Sequence, residues 1–166
     1  MPSIARAVWS SVAAASTIAL SSGCSSEDLD ERTGVVFDEV LVCADGEMLE
    51  GIDVSYYQGS IDWNAVAADG IAFAITRVNH GDFMDPEFDT NWAAIPSVGL
   101  LRGAYQYFDP GGDPVAQATT FISKVGLLGP GDLPGVIDVE STDGLGPAAV
   151  AANVATWTDL VEAGTG

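Results

Sequence analysis

The chain has 166 residues, of which 48% are hydrophobic and 17% are charged, a composition typical of a folded domain rather than of a disordered chain. Asp and Glu number 24 against 5 Lys and Arg, which gives a formal net charge of −19 at pH 7. So few cations can neutralise almost no phosphates, and this composition argues against a nucleic-acid-binding protein. His80 is the only histidine and neither cysteine has metal-ligand spacing, so the sequence supports no zinc site, and no residue is assigned as a metal ligand.

Residues 1–24 have the pattern of a targeting segment. Arg6 precedes an apolar run of about 14 residues, which is shorter than the roughly 20 that a membrane-spanning helix needs. The run ends in Leu20-Ser-Ser-Gly-Cys24, which resembles a bacterial lipoprotein signal with Cys24 as the lipidated residue. Leu20 stands one position earlier than the leucine of that signal, so an ordinary secretory signal remains the alternative. Both interpretations predict export, to the membrane of the cell envelope through a lipid anchor or to the outside.

Residues 25–48 are rich in Ser, Asp and Glu, and we interpret them as an acidic tether between the anchor and a domain over residues 49–166. Cys43 lies in this tether. If Cys24 is lipidated, Cys43 has no partner in this sequence; if it is not, the two cysteines are candidates for a disulfide in an exported protein.

From residue 49 onward, apolar strands alternate with amphipathic helices. Each predicted helix opens with a capping residue or a proline: Asp62, Asp85-Pro86, Asp113-Pro114 and Gly146-Pro147. The predicted strands are 51–55, 71–78, 100–107 and 134–140. Four successive βα units predict an α/β fold, either a parallel sheet or a (β/α) barrel.

Three carboxylates lie on two of these strands. The strand Gly135–Glu140 ends in Asp138 and Glu140, which would share one face with Cα atoms about 6.6–7 Å apart. Asp53 lies in the middle of the first apolar strand. Any one of these acids alone is more simply a helix cap or a solubilising residue. Because burying a carboxylate is costly unless it is paired or used, three on two apolar strands favour a carboxylate active site.

The segment Gly51-Ile-Asp-Val-Ser-Tyr-Tyr-Gln-Gly-Ser-Ile-Asp-Trp63 resembles the opening of the family 25 glycoside hydrolases, the Chalaropsis-type lysozymes or N-acetylmuramidases. The resemblance continues in order through the following segments: Phe73–Val78, Asp85 with Phe88 and Asn91, Gly99–Phe108, and Asp138-Val-Glu140. It implies a TIM-like (β/α) barrel. The four βα units would be the first half to two-thirds of that barrel, so we expect a truncated domain.

The resemblance implies hydrolysis of the β-1,4 bond between N-acetylmuramic acid and N-acetylglucosamine in peptidoglycan glycan strands, without a cofactor. Glu140 matches the family's general acid, and we expect its apolar neighbours Val136, Ile137 and Val139 to favour the protonated form. Asp138 would stay charged, to orient the acetamido group or stabilise the oxocarbenium-like transition state. Asp53 would position or tune the pair.

Three further residues are candidates for substrate binding. Tyr105 and Tyr107 end the third strand, where core packing is an equal alternative for both. Arg77 ends the second strand, where it could pair with Asp53 or Glu140, and a helix-capping or surface role is the alternative. Two other functions remain open. One is a noncatalytic cell-wall-binding remnant of such an enzyme, and the other is a metal-dependent hydrolase that binds Mg²⁺ or Ca²⁺ through its three carboxylates.

Overall fold

The computed structural model describes residues 48–166 and, as backbone only, residues 6 and 7. Strand β1 (Arg6–Ala7) therefore falls inside the predicted targeting segment. The rest of that segment and the predicted tether up to residue 47, with Cys24 and Cys43, lie outside the described residues.

A sheet with four parallel strands forms the centre of the fold. These are β2 (Gly51–Val54), β3 (Phe73–His80), β5 (Leu101–Tyr107) and β6 (Val136–Asp138). The order across the sheet is β1-β2-β3-β5-β6, in which β1 is antiparallel to β2. The two-residue strand β4 (Phe83–Met84) forms an antiparallel hairpin with the end of β3.

Four helices follow the four parallel strands. They are α1 (Trp63–Ala68), α2 (Phe88–Ser97), α3 (Pro114–Val125) and α4 (Pro147–Thr165), with a one-turn 3₁₀ helix at Tyr56–Gln58. This βα alternation confirms the predicted α/β class. Of the helices that the structure describes, none is long and apolar enough to cross a membrane.

The helix starts show how local chemistry sets the element boundaries. The Asp62 carboxylate accepts a hydrogen bond from the Ala65 N–H at 3.1 Å, and the Asp113 carboxylate accepts one from the Val115 N–H at 2.9 Å, as predicted for N-caps. Helix α2 begins at Phe88, not at the predicted Asp85-Pro86, and Glu87 is its N-cap residue. The prediction failed there because Oδ2 of Asp85 accepts hydrogen bonds from Tyr56 and Arg77 instead of capping the first turn of the helix.

The core lies between the sheet and the helices. Alternate strand residues, among them Ile52, Val54, Ala74, Val78 and Ala104, point to this side and are at most 2% exposed. They pack in two clusters with helix residues such as Trp63, Ile95, Phe121 and Trp157. The residues between them point to the opposite face of the sheet, and this face carries the candidate site.

Candidate active site

Five of the predicted site residues share the face of the sheet opposite the helices. Side chains alternate between the two faces along a strand, and the residues adjacent in sequence to these five pack on the helix side. The five are Asp53 in β2, Arg77 in β3, Tyr105 and Tyr107 in β5, and Asp138 in β6. The strand register places Arg77 beside Tyr105, and Tyr107 beside Asp138. Parallel strands are about 4.8 Å apart, so these side chains are immediate neighbours.

Glu140 is positioned differently from the prediction. Strand β6 ends at Asp138, so Glu140 lies two residues beyond the strand and is exposed. The expected apolar enclosure is also absent around it, because Val136 and Val139 are themselves 38% and 39% exposed and Ile137 packs against the helix-side core. The loop nevertheless brings the charge of Glu140 close enough to act on both Asp53 and Asp138.

The three carboxylates influence one another electrostatically. Partial burial, followed by the charge of Glu140, raises the pKa of Asp53. Partial burial also raises the pKa of Asp138, and the charges of Glu140 and Asp53 add to that effect. The neighbouring negative charges disfavour ionisation of Asp53 and of Asp138, so these two carboxyl groups retain a proton more readily than isolated aspartates do. Clustered carboxyl groups with raised pKa values are frequent at functional sites, so this end of the sheet is the candidate active site.

The two tyrosines face the carboxylates as neutral hydroxyl groups. Burial raises the pKa of Tyr105 to about 12, although the nearby Arg77 guanidinium opposes the change. Burial, followed by the charges of Glu140 and Asp138, also raises the pKa of Tyr107. Both side chains remain partly exposed, so they are not simply core residues. Each can donate a hydrogen bond to a carboxylate or to a sugar oxygen.

Arg77 does not pair with Asp53 or Glu140, and that prediction was wrong. Its Nε donates to Oδ2 of Asp85 at 3.0 Å, and both side chains are buried, with 6% and 1% of their surface exposed. The hairpin of β3 and β4 returns the chain so that Asp85 lies beside Arg77. The Nη2 atom of Arg77 is buried without a hydrogen-bond partner among the described residues.

Asp85 is a structural residue of the site that the sequence analysis treated only as a helix start. Besides Arg77, its Oδ2 atom accepts a hydrogen bond from the Tyr56 N–H at 3.0 Å, and its Oδ1 atom accepts one from the Glu87 N–H at 3.0 Å. The available signal was an arginine inside an apolar strand, which needs an acidic partner close by.

A second carboxyl pair joins the two loops next to Glu140. A hydrogen bond with Asp143 raises the pKa of Asp109, and the same bond lowers the pKa of Asp143. Asp143 also accepts hydrogen bonds from the Gly111 N–H at 2.9 Å and the Ser141 hydroxyl at 2.7 Å. The φ of Asp143 is +50°, in the left-handed region that few residues other than glycine adopt. The two hydrogen bonds stabilise this backbone conformation. Nothing in the sequence pattern indicated this pair.

Within residues 48–166, no group of three or more His, Cys, Asp or Glu side chains is arranged to hold a metal ion.

The chain is similar in sequence to known proteins. The family model described as "Glycosyl hydrolases family 25" matches residues 52–166. The chain is 40% identical over 124 residues to protein YegX of Escherichia coli K12, an alignment that covers 71% of this chain and 45% of that protein. It is 38% identical over 101 residues to Lysozyme M1 of Streptomyces globisporus, which covers 58% of this chain and 34% of that enzyme.

The fold is also similar to solved structures. The bacterial lysozyme from Streptomyces coelicolor superposes with a TM-score of 0.65 and 29% identity, over 73% of this chain and 60% of that one. The chain spans about half the length of the curated relatives it matches. These likenesses confirm the TIM-like (β/α) fold class, and residues 48–166 contain four of its βα units.

Proposed function

This chain belongs to the glycosyl hydrolases family 25, and from that premise we propose that it hydrolyses the β-1,4 bond between N-acetylmuramic acid and N-acetylglucosamine in peptidoglycan. The observation that carries the proposal is the position of Asp53 and Asp138 on one face of the sheet, with Glu140 just beyond β6, at the carboxyl end of the parallel strands. Sites of (β/α) barrels lie at that end. The names of relatives such as Lysozyme M1 support the choice of substrate.

In this proposal, Glu140 protonates the oxygen of the leaving sugar. Its exposed position beyond β6 leaves room for a glycan strand to reach it. Asp138, on the strand behind it, stabilises the positive charge that develops on the sugar or orients the acetamido group. Asp53, in β2, tunes the protonation of Asp138, since its charge raises the pKa of Asp138.

The candidate binding residues have two different roles in this proposal. Tyr105 and Tyr107 donate hydrogen bonds to sugar oxygens, because their hydroxyl groups stay protonated at neutral pH. Arg77 is buried and contributes to binding through the residues it orients, since its guanidinium lies over the rings of Tyr56 and Tyr57.

The decisive variant is Glu140→Gln in the full chain, which removes the proposed acid and keeps the size of the side chain. Since general acid catalysis contributes about 10²–10⁴-fold, we expect turnover of peptidoglycan to fall at least a hundredfold. Lysis of a peptidoglycan suspension and circular dichroism would be measured together. Glu162→Gln, on the exposed side of α4, is the matched control and should keep the parent's activity.

Retention of most activity by a folded Glu140→Gln variant would contradict the assignment. Binding of the parent to cell walls without release of reducing sugars would favour the noncatalytic wall-binding protein. Loss of lysis on addition of a chelator, with recovery on Mg²⁺ or Ca²⁺, would favour the metal-dependent hydrolase.

We also propose that the chain is exported and anchored by a lipid at Cys24. The support is the order of positive, apolar and small residues before that cysteine. In bacteria fed radiolabelled palmitate, the parent should become labelled and Cys24→Ser should not, while Cys43→Ser serves as the control. Equal labelling of parent and Cys24→Ser, or labelling of neither, would instead support simple secretion.

A further inference from the structure

A small aromatic surface lies beyond the carboxyl ends of β2 and β3. It consists of Tyr56, Tyr57 and Phe83, which we name the rim patch. The ring centroids of Tyr56 and Tyr57 are 4.2 Å apart, and those of Tyr56 and Phe83 are 5.4 Å apart. Tyr57 is 71% exposed and Phe83 is 51% exposed, and among residues 48–166 no other Phe, Tyr or Trp side chain is exposed to a comparable extent.

The rim patch is held in place from beneath. The Tyr56 N–H donates to the buried Asp85, and the Arg77 guanidinium carbon lies 5.1 Å from the Tyr56 ring centroid and 5.5 Å from that of Tyr57. At the start of the same turn, the Ser55 N–H donates to Oε1 of Gln58 at 2.8 Å in a capping box. These contacts keep the aromatic rings ordered while their outer faces are exposed to water. Exposure of apolar surface to water is unfavourable, and a ligand that covers the rings would remove this unfavourable term.

The position of the rim patch connects it to the carboxylates. Tyr56 comes three residues after Asp53, just beyond β2, and Phe83 comes just beyond β3. Arg77, which supports the rings, stands beside Tyr105, and the pKa of Tyr105 responds to both Asp53 and Asp138. The rim patch therefore lies at the same end of the sheet as the carboxylates, beyond β2 and β3, whereas Glu140 follows β6.

The negative net charge of this chain does not favour binding of a glycan that itself carries carboxylates. A formal net charge of −19 gives no long-range attraction to an anionic polymer. The carboxylate cluster offers hydrogen bonds but little apolar contact. Sugar rings have an apolar face of C–H groups, and aromatic rings offer a large rigid surface at a small entropic cost.

We propose that the rim patch is a sugar-binding subsite, on which a pyranose ring of the glycan strand stacks next to the bond that is cleaved. The identity of the glycan rests on the proposed function. The subsite itself rests on the exposure, the order and the position of the three rings.

Binding is tested in the full chain with Glu140→Gln as the background, so that the glycan is not cleaved. The two ligands are tetra-N-acetylchitotetraose and soluble glycan strands prepared from peptidoglycan, titrated by calorimetry. We expect Tyr57→Ala and Phe83→Ala each to weaken binding about three- to tenfold, through the loss of apolar contact area. Tyr57→Phe keeps the ring and should bind as the background does. Leu127→Ala, at a site 82% exposed just after α3, is the control.

Equal affinities for the background, Tyr57→Ala and Phe83→Ala would overturn the proposal, and so would failure of the background to bind either glycan. The two proposals can fail separately. Ring-dependent binding by a chain whose parent does not lyse peptidoglycan would keep the subsite and reject the hydrolysis. Lysis by a parent whose Tyr57→Ala and Phe83→Ala variants keep their affinity and their KM would keep the hydrolysis and reject the subsite.

Discussion

Asp138 carries a cost in stability that follows from its position. Burial and the charges of Glu140 and Asp53 raise its folded-state pKa above the ordinary value of 3.8. At pH values between the unfolded-state pKa and the folded-state pKa of Asp138, the folded chain keeps this proton, whereas the unfolded chain has already released it. Stability falls as the pH rises through that interval, and the ionised form destabilises the fold at neutral pH.

We therefore expect Asp138→Asn, which cannot ionise, to raise the free energy of unfolding at pH 7. The gain should shrink toward zero as the pH falls to 3.8, where the unfolded carboxyl is also becoming protonated. Urea unfolding across this pH range measures it. Asp159→Asn, at an exposed position of α4, should show no such trend. A gain that is the same at every pH would mean that packing, not ionisation, is responsible.

The residues of this site were predictable to different degrees. Asp53, Asp138 and Glu140 stand out because acids at the ends of apolar strands need a reason to be there. The partner of Arg77 was not predictable, since it depends on a two-residue hairpin too short to leave a pattern of its own. The rim patch was missed for a similar reason, because Tyr56 and Phe83 meet only when the hairpin folds back.

At the level of secondary structure, Asp85 connects three segments with one side chain. It accepts hydrogen bonds from the 3₁₀ turn, from β3 and from the start of α2. Removal of one partner of a buried ion pair leaves the other charge without compensation, a loss of about 3–5 kcal/mol. We expect Asp85→Ala to lose stability of that order in urea unfolding.

Asp89→Ala is the matched control for Asp85→Ala. Asp89 also pairs with a cation, Lys124 at 3.0 Å, but its side chain is 74% exposed. Exposed pairs contribute about 0–1 kcal/mol, so this variant should stay close to the parent. Similar losses in the free energy of unfolding for the two variants would show that burial of the Arg77–Asp85 pair does not determine its contribution to stability.

Helices were easier to predict from this sequence than strand ends. Helices α1 and α3 begin where their capping aspartates indicate, since a cap is a local interaction. Strand β6 has three residues instead of the seven predicted, because an apolar run does not reveal where its pairing with β5 stops. Gln106, which lies between the two site tyrosines, faces the helices instead and accepts a hydrogen bond from the Trp157 indole at 2.7 Å.

For the molecule as a whole, the outer strand β6 is, within residues 48–166, an unpaired edge with exposed apolar side chains on and near it. Among the described residues no strand pairs with the outer edge of β6, and Leu101, Val136 and Val139 are between 38% and 39% exposed. Unpaired strand edges beside apolar side chains promote association between chains. We expect the 166-residue chain to self-associate as its concentration rises.

A charge on that edge should reduce the association. Val136→Lys places one there, and sedimentation velocity over a range of concentrations would show a shift toward the monomer. Val115→Lys makes the same change at a site 48% exposed on α3 and should leave the association of the parent unchanged. A parent that stays monomeric at all concentrations, or equal effects of the two variants, would contradict this view of the edge.

The buried pair of Arg77 and Asp85 has a consequence for how such sequences diverge. Replacement of only one of the two residues leaves the other as an uncompensated buried charge. Replacement of both by apolar residues of similar volume is often neutral. The two positions should therefore change together or not at all. Because the same pair supports Tyr56 and Tyr57, descendants that have lost it should also have altered the aromatic residues of that turn.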